Sequence, residues 1–456
     1  MVKNSASPLT PTTASRMGLH YFTDTLHYRE ADLQTWLPEL QDLGMSWLVL
    51  QSDPGRAIPE HFLRGLKKAG IEPLIWFKLS LDQLPDLKEL GMLLDVYARW
   101  GARYVIFYDR PNDRKAWPAA GWMQQDLVER FLDRYLPAAN LALHAGLIPV
   151  FPPLQPGGSY WDTAFLRSAL QAIQRRKQET LLQNLVLSAY AWTGEHGLDW
   201  GAGGPERWPQ ARPYLTPADS QDQCGFRIFD WYEAVARSVM HRDYPVVLLQ
   251  AGMPGDPRQI RPLMHSAEEY AQTSLTVARL LAGEQVMDPA VQGNVLEPIP
   301  NYVIGCNFWL LSAERSGVEA SQAWFAGKDR RNAPAERLHT WRRNHQDQDL
   351  LRGAPCSTEG VIPMTADHPI RHYLLLPGYE WGISDWYLEV IRPYVKKHRP
   401  TVGFSLDEAE KSAWVTVVGA IQNFPEDTLN RLKQAGCKIE QIDGDGIQIA
   451  TELAER

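Results

Sequence analysis

Several residues that can take part in chemistry follow short apolar runs, at the points where buried strands would end. Asp109 and Arg110 come directly after the run Tyr104–Tyr108, within GARYVIFYDRPNDRKAW, and Gln250 closes the run Val246–Gln250. An aspartate can donate a proton, accept one or act as a nucleophile, whereas arginine stays protonated and a glutamine amide carries no anionic oxygen. Of the three, Asp109 alone is suited to acid, base or covalent chemistry.

Further candidates follow other apolar runs. Glu195 and His196, in AWTGEHGLDW, can form an acid/base pair, although a solvated loop pair is the plainer interpretation. His20 lies at the end of the first apolar run and Lys78 follows the third, and we expect them to face the same site or to serve as scaffold residues. The other carboxylates after predicted strands are Asp53, Asp199 and Asp256.

The sequence carries no recognisable metal or cofactor motif. The four cysteines are far apart and show neither C-x-x-C nor Cys/His spacing, which argues against a zinc site and a disulfide framework. There is no G-x-S-x-G, H-E-x-x-H, G-x-x-x-x-G-K-[ST] or G-x-G-x-x-G motif. We therefore predict neither a metal nor a cofactor.

Eight apolar runs alternate with amphipathic segments, which is typical of repeated βα units. One such segment, Asp32–Leu43, carries its apolar residues at helical spacing. Eight units in about 300 residues favour a (β/α)8 TIM barrel. A doubly wound open sheet would need a Gly-rich phosphate turn, which is absent. The predicted strands are Gly18–Phe22, Trp47–Gln51, Glu72–Phe77, Tyr104–Tyr108, Leu147–Phe151, Leu185–Tyr190, Val246–Gln250 and Ile304–Leu310.

The long insertions fall after the middle strands, on the side where barrel enzymes build their sites. They cover Asp109–Met123, Pro152–Trp161 and Trp192–Gln223 and are rich in Trp, Gly and Pro. Beyond the barrel, the charged stretch from Arg342 to Pro355 predicts a linker and a second unit. The predicted organisation is a flexible leader at 1–16, a barrel at 17–342, a linker at 343–365 and a small α/β module at 366–456.

Between Met17 and Ser312 the chain resembles the glycoside hydrolases of clan A, which are (β/α)8 enzymes. YDRPN, followed by Trp117, is similar to the clan's strand-four segment YNEPN…W, with Asp109 in place of Asn and Arg110 in place of the acid/base Glu. YPVVLLQAG is similar to the strand-seven segment, with Gln250 in place of the nucleophilic Glu. IPVFPPLQPGG, GFRIFDWYEAV and GCNFWLL add to the resemblance.

The two replacements bear directly on activity. A retaining glycosidase needs two carboxyl groups about 5–5.5 Å apart, and neither arginine nor glutamine can replace one. The resemblance therefore implies a glycosidase-like barrel that has lost hydrolysis and binds carbohydrate or another protein. The alternatives are an active glycosidase that uses Asp109 or Glu195 instead, and a structural or assembly subunit.

The resemblance also places Arg110 and Gln250 opposite one another at the barrel mouth. A hydrogen bond from the guanidinium to the amide carbonyl would then satisfy both groups. Alternatively, Arg110 can bind an anion such as a uronic acid carboxylate, although Asp109 is a competing counter-ion.

The chain contains 17 Trp, and such rings can stack on sugar faces. We expect Trp309, which the resemblance implies is a sugar platform, to form an exposed aromatic floor with Trp192 and Trp161. The other predicted ligand-binding residues are Asn112, Trp117, His20 and Lys78.

Charge and hydropathy narrow the class of partner. The formal net charge is -8 without a basic stripe, which argues against nucleic acid. No window reaches the roughly 20 apolar residues of a membrane span. Residues 1–16 lack the apolar run of a signal peptide, so we expect a cytoplasmic protein, unless a targeting segment is missing.

Overall fold

The structure is a computed structural model of the chain. It describes residues 15–253, 266–288, 294–313, 319–320, 322–328, 330–352, 370–377, 390–392, 394–395, 398, 400–419, 426–442 and 446–455. The chain divides into two compact units, Met1–Gln348 and Asp349–Arg456.

Eight parallel strands form the barrel in the first unit. Their order around the sheet is β5-β4-β3-β2-β1-β10-β7-β6, and a parallel bridge between Val150 and Val186 joins the two edges. The predicted (β/α)8 barrel is therefore confirmed. Its strands are β1 Met17–His20, β2 Trp47–Ser52, β3 Glu72–Phe77, β4 Tyr104–Phe107, β5 Ile148–Val150, β6 Leu187–Trp192, β7 Val246–Gly252 and β10 Val303–Phe308. The short strands β8 Val286–Met287 and β9 Val295–Leu296 pair antiparallel before β10.

Helices connect the strands, and some of them begin at side-chain caps. Asp86 accepts hydrogen bonds from the first turn of α3, and Ser266 forms a capping box with Glu269 at the start of α10. The helices of this unit are α1 Glu30–Asp42, α2 Glu60–Lys68, α3 Leu87–Arg99, α4 Ala119–Trp122, α5 Leu127–His144, α6 Asp162–Arg175, α7 Glu179–Asn184, α8 Gly204–Arg207, α9 Ile228–Met240 and α10 Ala267–Leu281. A further helix, α11 Ala333–Arg352, begins in this unit and extends past its last residue, Gln348.

Side chains fill the barrel interior. Trp47 is the largest interior residue at the amino end of the strands, and two glycines make room for it. A Cβ on Gly18 would lie 2.6 Å from the Cβ of Trp47, and one on Gly305 would lie 3.1 Å from its indole ring. Larger residues at these two positions would collide with Trp47, so the interior is a packed core and any ligand site must lie at an end of the barrel.

The carboxyl ends of β4, β7 and β10, which border the predicted site, differ from the predicted ones. β4 ends at Phe107, because Tyr108 has a φ of 69° and leaves the extended conformation. β7 continues past Gln250 to Gly252, and β10 ends at Phe308, so Trp309 lies just beyond its strand.

The small C-terminal α/β module is also present. Its four parallel strands have the order β15-β14-β16-β17, and β11 Ser312–Ala313, β12 Phe325–Ala326 and β13 Arg330–Arg331 precede them in the chain. α11 extends through 343–352, which was predicted as linker, while 353–365 and most of the predicted helix Trp386–Lys397 lie outside the described residues. The module's elements are β14 Ile370–Leu375, β15 Thr401–Gly403, β16 Ser412–Val418, β17 Lys438–Ile442 and the helices Leu406–Ala409, Glu426–Gln434 and Gly446–Glu455.

Candidate functional site

The chain reverses its side-chain alternation directly after β4. Tyr104 and Ile106 belong to the interior core, so regular alternation would also place Tyr108 inside. Instead, the Tyr108 hydroxyl reaches α5 and donates to the carbonyl of Arg134 at 3.1 Å. Because of this reversal, the Asp109 side chain faces the barrel mouth, whereas regular alternation would turn it away.

The Asp109 carboxylate accepts hydrogen bonds from two side chains. The Tyr190 hydroxyl donates to one oxygen at 2.7 Å, and Nη2 of Arg110 donates to the other at 2.8 Å. The side chains of Asp109 and Arg110 are only 16% and 14% exposed. Because Asp109 balances its charge at short range, Arg110 is poorly suited to receive a uronic acid carboxylate.

A β-bulge turns Gln250 into the barrel. Ala189 of β6 pairs with Leu248 of β7, but the next residue, Tyr190, pairs with Gln250, so Leu249 is an extra residue. Tyr190 is an interior residue, and its partner Gln250 therefore faces the interior as well. Without the bulge Gln250 would point towards the helices, as Leu248 does.

Gln250 is bonded to an indole. Nε1 of Trp192 donates to Oε1 of Gln250 at 3.1 Å, and the Trp192 ring stacks on Tyr190 with centroids 4.5 Å apart. Among the described residues, Arg110 bonds to Asp109 and Gln250 bonds to Trp192, and the hydrogen bond from Arg110 to Gln250 stays a prediction. The mouth thus contains a network of Arg110, Asp109, Tyr190, Trp192 and Gln250.

His20, Lys78 and Trp309 line a second part of the mouth. Nε2 of His20 lies 2.6 Å from the carbonyl oxygen of Leu249, the bulged residue. Burial lowers the pKa of His20 to about 3, and the nearby Lys78 charge contributes in the same direction. Nζ of Lys78 lies 4.3 Å from the ring centre of Trp76. The cavity between these side chains has a volume of about 10 Å³.

Asn112 and Trp117 hold the insertions together and are buried. Asn112 is fully buried, and its amide donates to the carbonyls of Gln155 and Tyr160 and accepts from the Gln155 N–H. Trp117 is buried as well and donates to the carbonyl of Pro111. Each of these bonds joins parts of the protein to each other, and the assignment of Asn112 and Trp117 as ligand-binding residues stays a prediction.

The predicted aromatic floor does not form as expected. Trp192 and Trp309 are 7% and 5% exposed, too little for a ring face to stack on a sugar. The expectation of an exposed platform is therefore wrong for these two residues. Trp161 is half-buried at the start of α6, 5.1 Å from the ring of Tyr214.

An open groove lies beyond the ends of β6 and β7, with a volume of about 600 Å³. Glu195 and His196 lie on its edge in an exposed turn, and the His196 ring stacks on Trp200 with centroids 3.7 Å apart. No hydrogen bond joins Glu195 to His196 in this described turn. The groove is further lined by Thr193, Leu198, Met253, Gln272, Asp288 and Arg337.

The other candidate carboxylates do not gather at the mouth network. Asp53 is exposed and accepts from the N–H of Gly55, and Asp199 accepts from the amide of Asn294. Asp256 lies outside the described residues. No group of three or more His, Cys, Asp or Glu side chains suited to a metal occurs within the described ranges. None of the helices described above is both long and apolar enough to cross a bilayer.

The sequence did not reveal two polar residues that organise the site and its insertions, Tyr190 of β6 and Asp162 at the start of α6. Tyr190, the last residue of a predicted strand, bonds to Asp109, and its interior position was available from strand alternation. Asp162 is fully buried and accepts from Gln223, Tyr232 and the N–H of Gly157. Burial raises the pKa of Asp162 to about 6 against the opposing effect of these three bonds. No local pattern marks Asp162, since two of its three partners, Gln223 and Tyr232, are distant in sequence.

Comparison with known proteins finds similarity in the fold alone. The chain matches no protein-family model and no curated protein sequence. A β-galactosidase from the psychrophilic Marinomonas ef1 aligns at 8% identity and a TM-score of 0.41, over 93% of this chain and 75% of that one. Xylanase 10B from Thermotoga maritima aligns at 7% identity and a TM-score of 0.39, over 73% of this chain and 96% of that one. An L-ribulose 3-epimerase aligns at 12% identity and a TM-score of 0.38, over 75% of this chain and 100% of that one.

Proposed function

We propose that the carboxyl end of the barrel binds carbohydrate without hydrolysing it. The observation that carries the proposal is the hydrogen-bond network at the mouth. Asp109 is the single carboxylate of this network, and Gln250, which stands in place of the nucleophilic Glu of clan A, is its other inward-facing strand-end residue. Hydrolysis by either common glycosidase mechanism needs two carboxyl groups, about 5–5.5 Å or about 6.5–9.5 Å apart. An amide that accepts from Trp192 cannot form a glycosyl-enzyme or activate water as a base.

The groove beside β6 and β7 supports the binding part of the proposal. Its volume of about 600 Å³ lies within the usual range for small-molecule sites. Thr193, Glu195, His196 and Gln272 offer hydroxyl, carboxylate, imidazole and amide groups that can bond to sugar hydroxyls. The clan A resemblance of the strand-four and strand-seven segments makes carbohydrate the first ligand class to test.

One observation favours a second candidate function, hydrolysis through Asp109. The reversal at Tyr108 turns this carboxylate towards the mouth, where the Tyr190 hydroxyl supports it. In that case Asp109 would exchange a proton with the substrate after release from Arg110.

Two measurements on the purified full chain separate these functions. A glycan array followed by calorimetry should identify a bound oligosaccharide, and His196→Ala should weaken its binding about tenfold, the effect of losing one hydrogen bond. His144→Ala, an exposed histidine on α5, is the matched control and should bind as the wild type does. A silent array, or equal weakening by both variants, would contradict binding in the groove.

The hydrolysis measurement uses aryl glycosides and polysaccharides. We expect no release of aryl alcohol or reducing sugar above buffer. Turnover that disappears in Asp109→Asn, with the variant still folded, would replace our proposal by the second candidate.

A further inference from the structure

The small cavity at the carboxyl ends of β1 and β3, here termed the His20 cavity, has a polar lining suited to one kind of group. Its volume of about 10 Å³ matches the space that one water-sized oxygen requires. His20, Lys78, Gln51 and Thr23 are the polar residues of its lining, while Trp76 and Trp309 are its aromatic walls. Lys78 and Thr23 are exposed, so the cavity borders the protein surface.

The tautomer of His20 follows from its hydrogen bond. A carbonyl oxygen can only accept, so Nε2 must carry the proton that it donates to Leu249 at 2.6 Å. Burial keeps the ring neutral, since the pKa of His20 is lowered to about 3. Nδ1 is then an acceptor with a lone pair.

The His20 ring is fixed in place by its neighbours. It lies 4.8 Å from the ring of Trp309 and 5.9 Å from that of Trp76, measured between centroids. Its buried position and the Nε2 bond oppose rotation of the ring. The lone pair on Nδ1 is thus held in one direction before any ligand arrives.

Lys78 supplies a donor and a positive charge to the same cavity. Its ammonium group lies 4.3 Å from the centre of the Trp76 ring, at a distance typical of a cation–π contact. An ammonium group has three N–H donors, so a ring contact and one further partner still leave it able to bond to an oxygen.

We infer that the His20 cavity recognises a single hydroxyl group of a neutral sugar, which donates to Nδ1 of His20 and accepts from Nζ of Lys78. The inference rests on the proposed carbohydrate binding and names the ligand class that the mouth selects. A hydroxyl group is both donor and acceptor, so one oxygen satisfies both nitrogen atoms.

Charged sugars fit the same cavity less well. A uronic acid carboxylate can accept from Lys78, but it has no proton for Nδ1, and its lone pairs would face the lone pair of His20. The ammonium of an amino sugar can donate to Nδ1, but the positive charge of Lys78 repels it. The cavity therefore discriminates by hydrogen-bond type as well as by charge.

The test is nitrogen NMR on the full chain labelled with ¹⁵N-histidine, with His20 assigned from the His20→Gln spectrum. In the free protein we expect His20 to show a protonated Nε2 and to stay neutral from pH 5 to 8. On titration with methyl glycosides of neutral hexoses and pentoses, at least one should shift the Nδ1 resonance. The uronic acid and amino-sugar counterparts of that glycoside should bind at least about tenfold more weakly.

Two variants connect the shift to the cavity. Lys78→Met keeps the aliphatic stem and should weaken binding of the neutral glycoside about tenfold, as expected for one lost hydrogen bond to a charged donor. Lys68→Met, at the exposed end of α2 and so at the opposite end of the barrel, should bind normally. Because Lys78 is exposed, its replacement is not expected to disturb folding.

Each outcome separates this inference from the function on which it rests. Binding of oligosaccharides without a glycoside-dependent shift of Nδ1 would overturn the His20 cavity inference and leave the proposed function standing. A protonated Nδ1, titration of His20 near pH 6.5, or an Nδ1 bonded to water alone would also overturn it. A protein that binds no carbohydrate would refute both.

Discussion

The change Asp162→Asn tests how the long insertions are tied to the barrel helices. The fully buried carboxylate accepts from Nε2 of Gln223 at 2.7 Å, from the hydroxyl of Tyr232 at 2.9 Å and from the N–H of Gly157 at 3.2 Å. Burial raises its pKa from 3.8 to about 6, although the three hydrogen bonds favour the charged form. Asparagine has nearly the same shape and does not titrate.

The magnitude follows from the two pKa values. A difference between 3.8 in the unfolded chain and about 6 in the folded protein corresponds to about 3 kcal/mol. The folded protein binds the proton more tightly, so protonation contributes stability that is fully present below about pH 3.8 and is lost as the pH rises through about 6. Between about pH 4 and 7, wild-type stability should therefore fall by about 3 kcal/mol relative to Asp162→Asn.

The assay is urea unfolding followed by tryptophan fluorescence at several pH values between 4 and 7. Tryptophan emission reports mainly on the barrel unit, because only Trp381, Trp386 and Trp414 lie outside it. Asp95→Asn, at an exposed position on α3, is the control for the loss of one negative charge. Parallel pH profiles for the wild type and Asp162→Asn would refute the reasoning.

Two further predictions concern the insertions and the mouth. Asn112→Ala should lower the free energy of unfolding by about 3 kcal/mol, because three part-buried backbone groups of Gln155 and Tyr160 lose their partner. Asn301→Ala, at an exposed turn, should cost less than about 0.5 kcal/mol, and similar urea midpoints for the two variants would contradict the assignment. The double variant Arg110→Glu with Gln250→Glu, and the triple variant that adds Asp109→Asn, should not hydrolyse aryl glycosides, since the backbone at the mouth has moved away from the expected arrangement. Turnover by either variant would show that the catalytic spacing survives.

The barrel was predictable from local patterns. Residues 74–77 of β3, for example, are hydrophobic at every position because both faces of the strand are covered. Few folds accommodate eight such strands in regular alternation with amphipathic helices. The chemical groups available at the mouth were predictable from the sequence as well. Arginine at 110 and glutamine at 250 limit the chemistry in any conformation, because ionisation is a property of the side chain.

The orientation of the mouth residues could not be predicted in the same way. Alternation places Tyr108 inside and Asp109 outside, and a single backbone angle of 69° exchanges them. One extra residue in β7 likewise turns Gln250 inward. A side chain's face depends on counting residues along a strand, so one left-handed residue or one bulge reverses the result without leaving a clear mark in the sequence.

The sequence by itself determined the class of fold and the kinds of group available at the carboxyl end of the barrel. The tertiary structure decided which of those groups meet: Asp109 with Tyr190, Gln250 with Trp192, and His20 with the carbonyl of Leu249. The physical reason is that hydrophobic periodicity is set by nearby residues, whereas these hydrogen bonds join strands far apart in the chain. Their partners depend on strand register, on the bulge in β7 and on the burial that keeps His20 neutral.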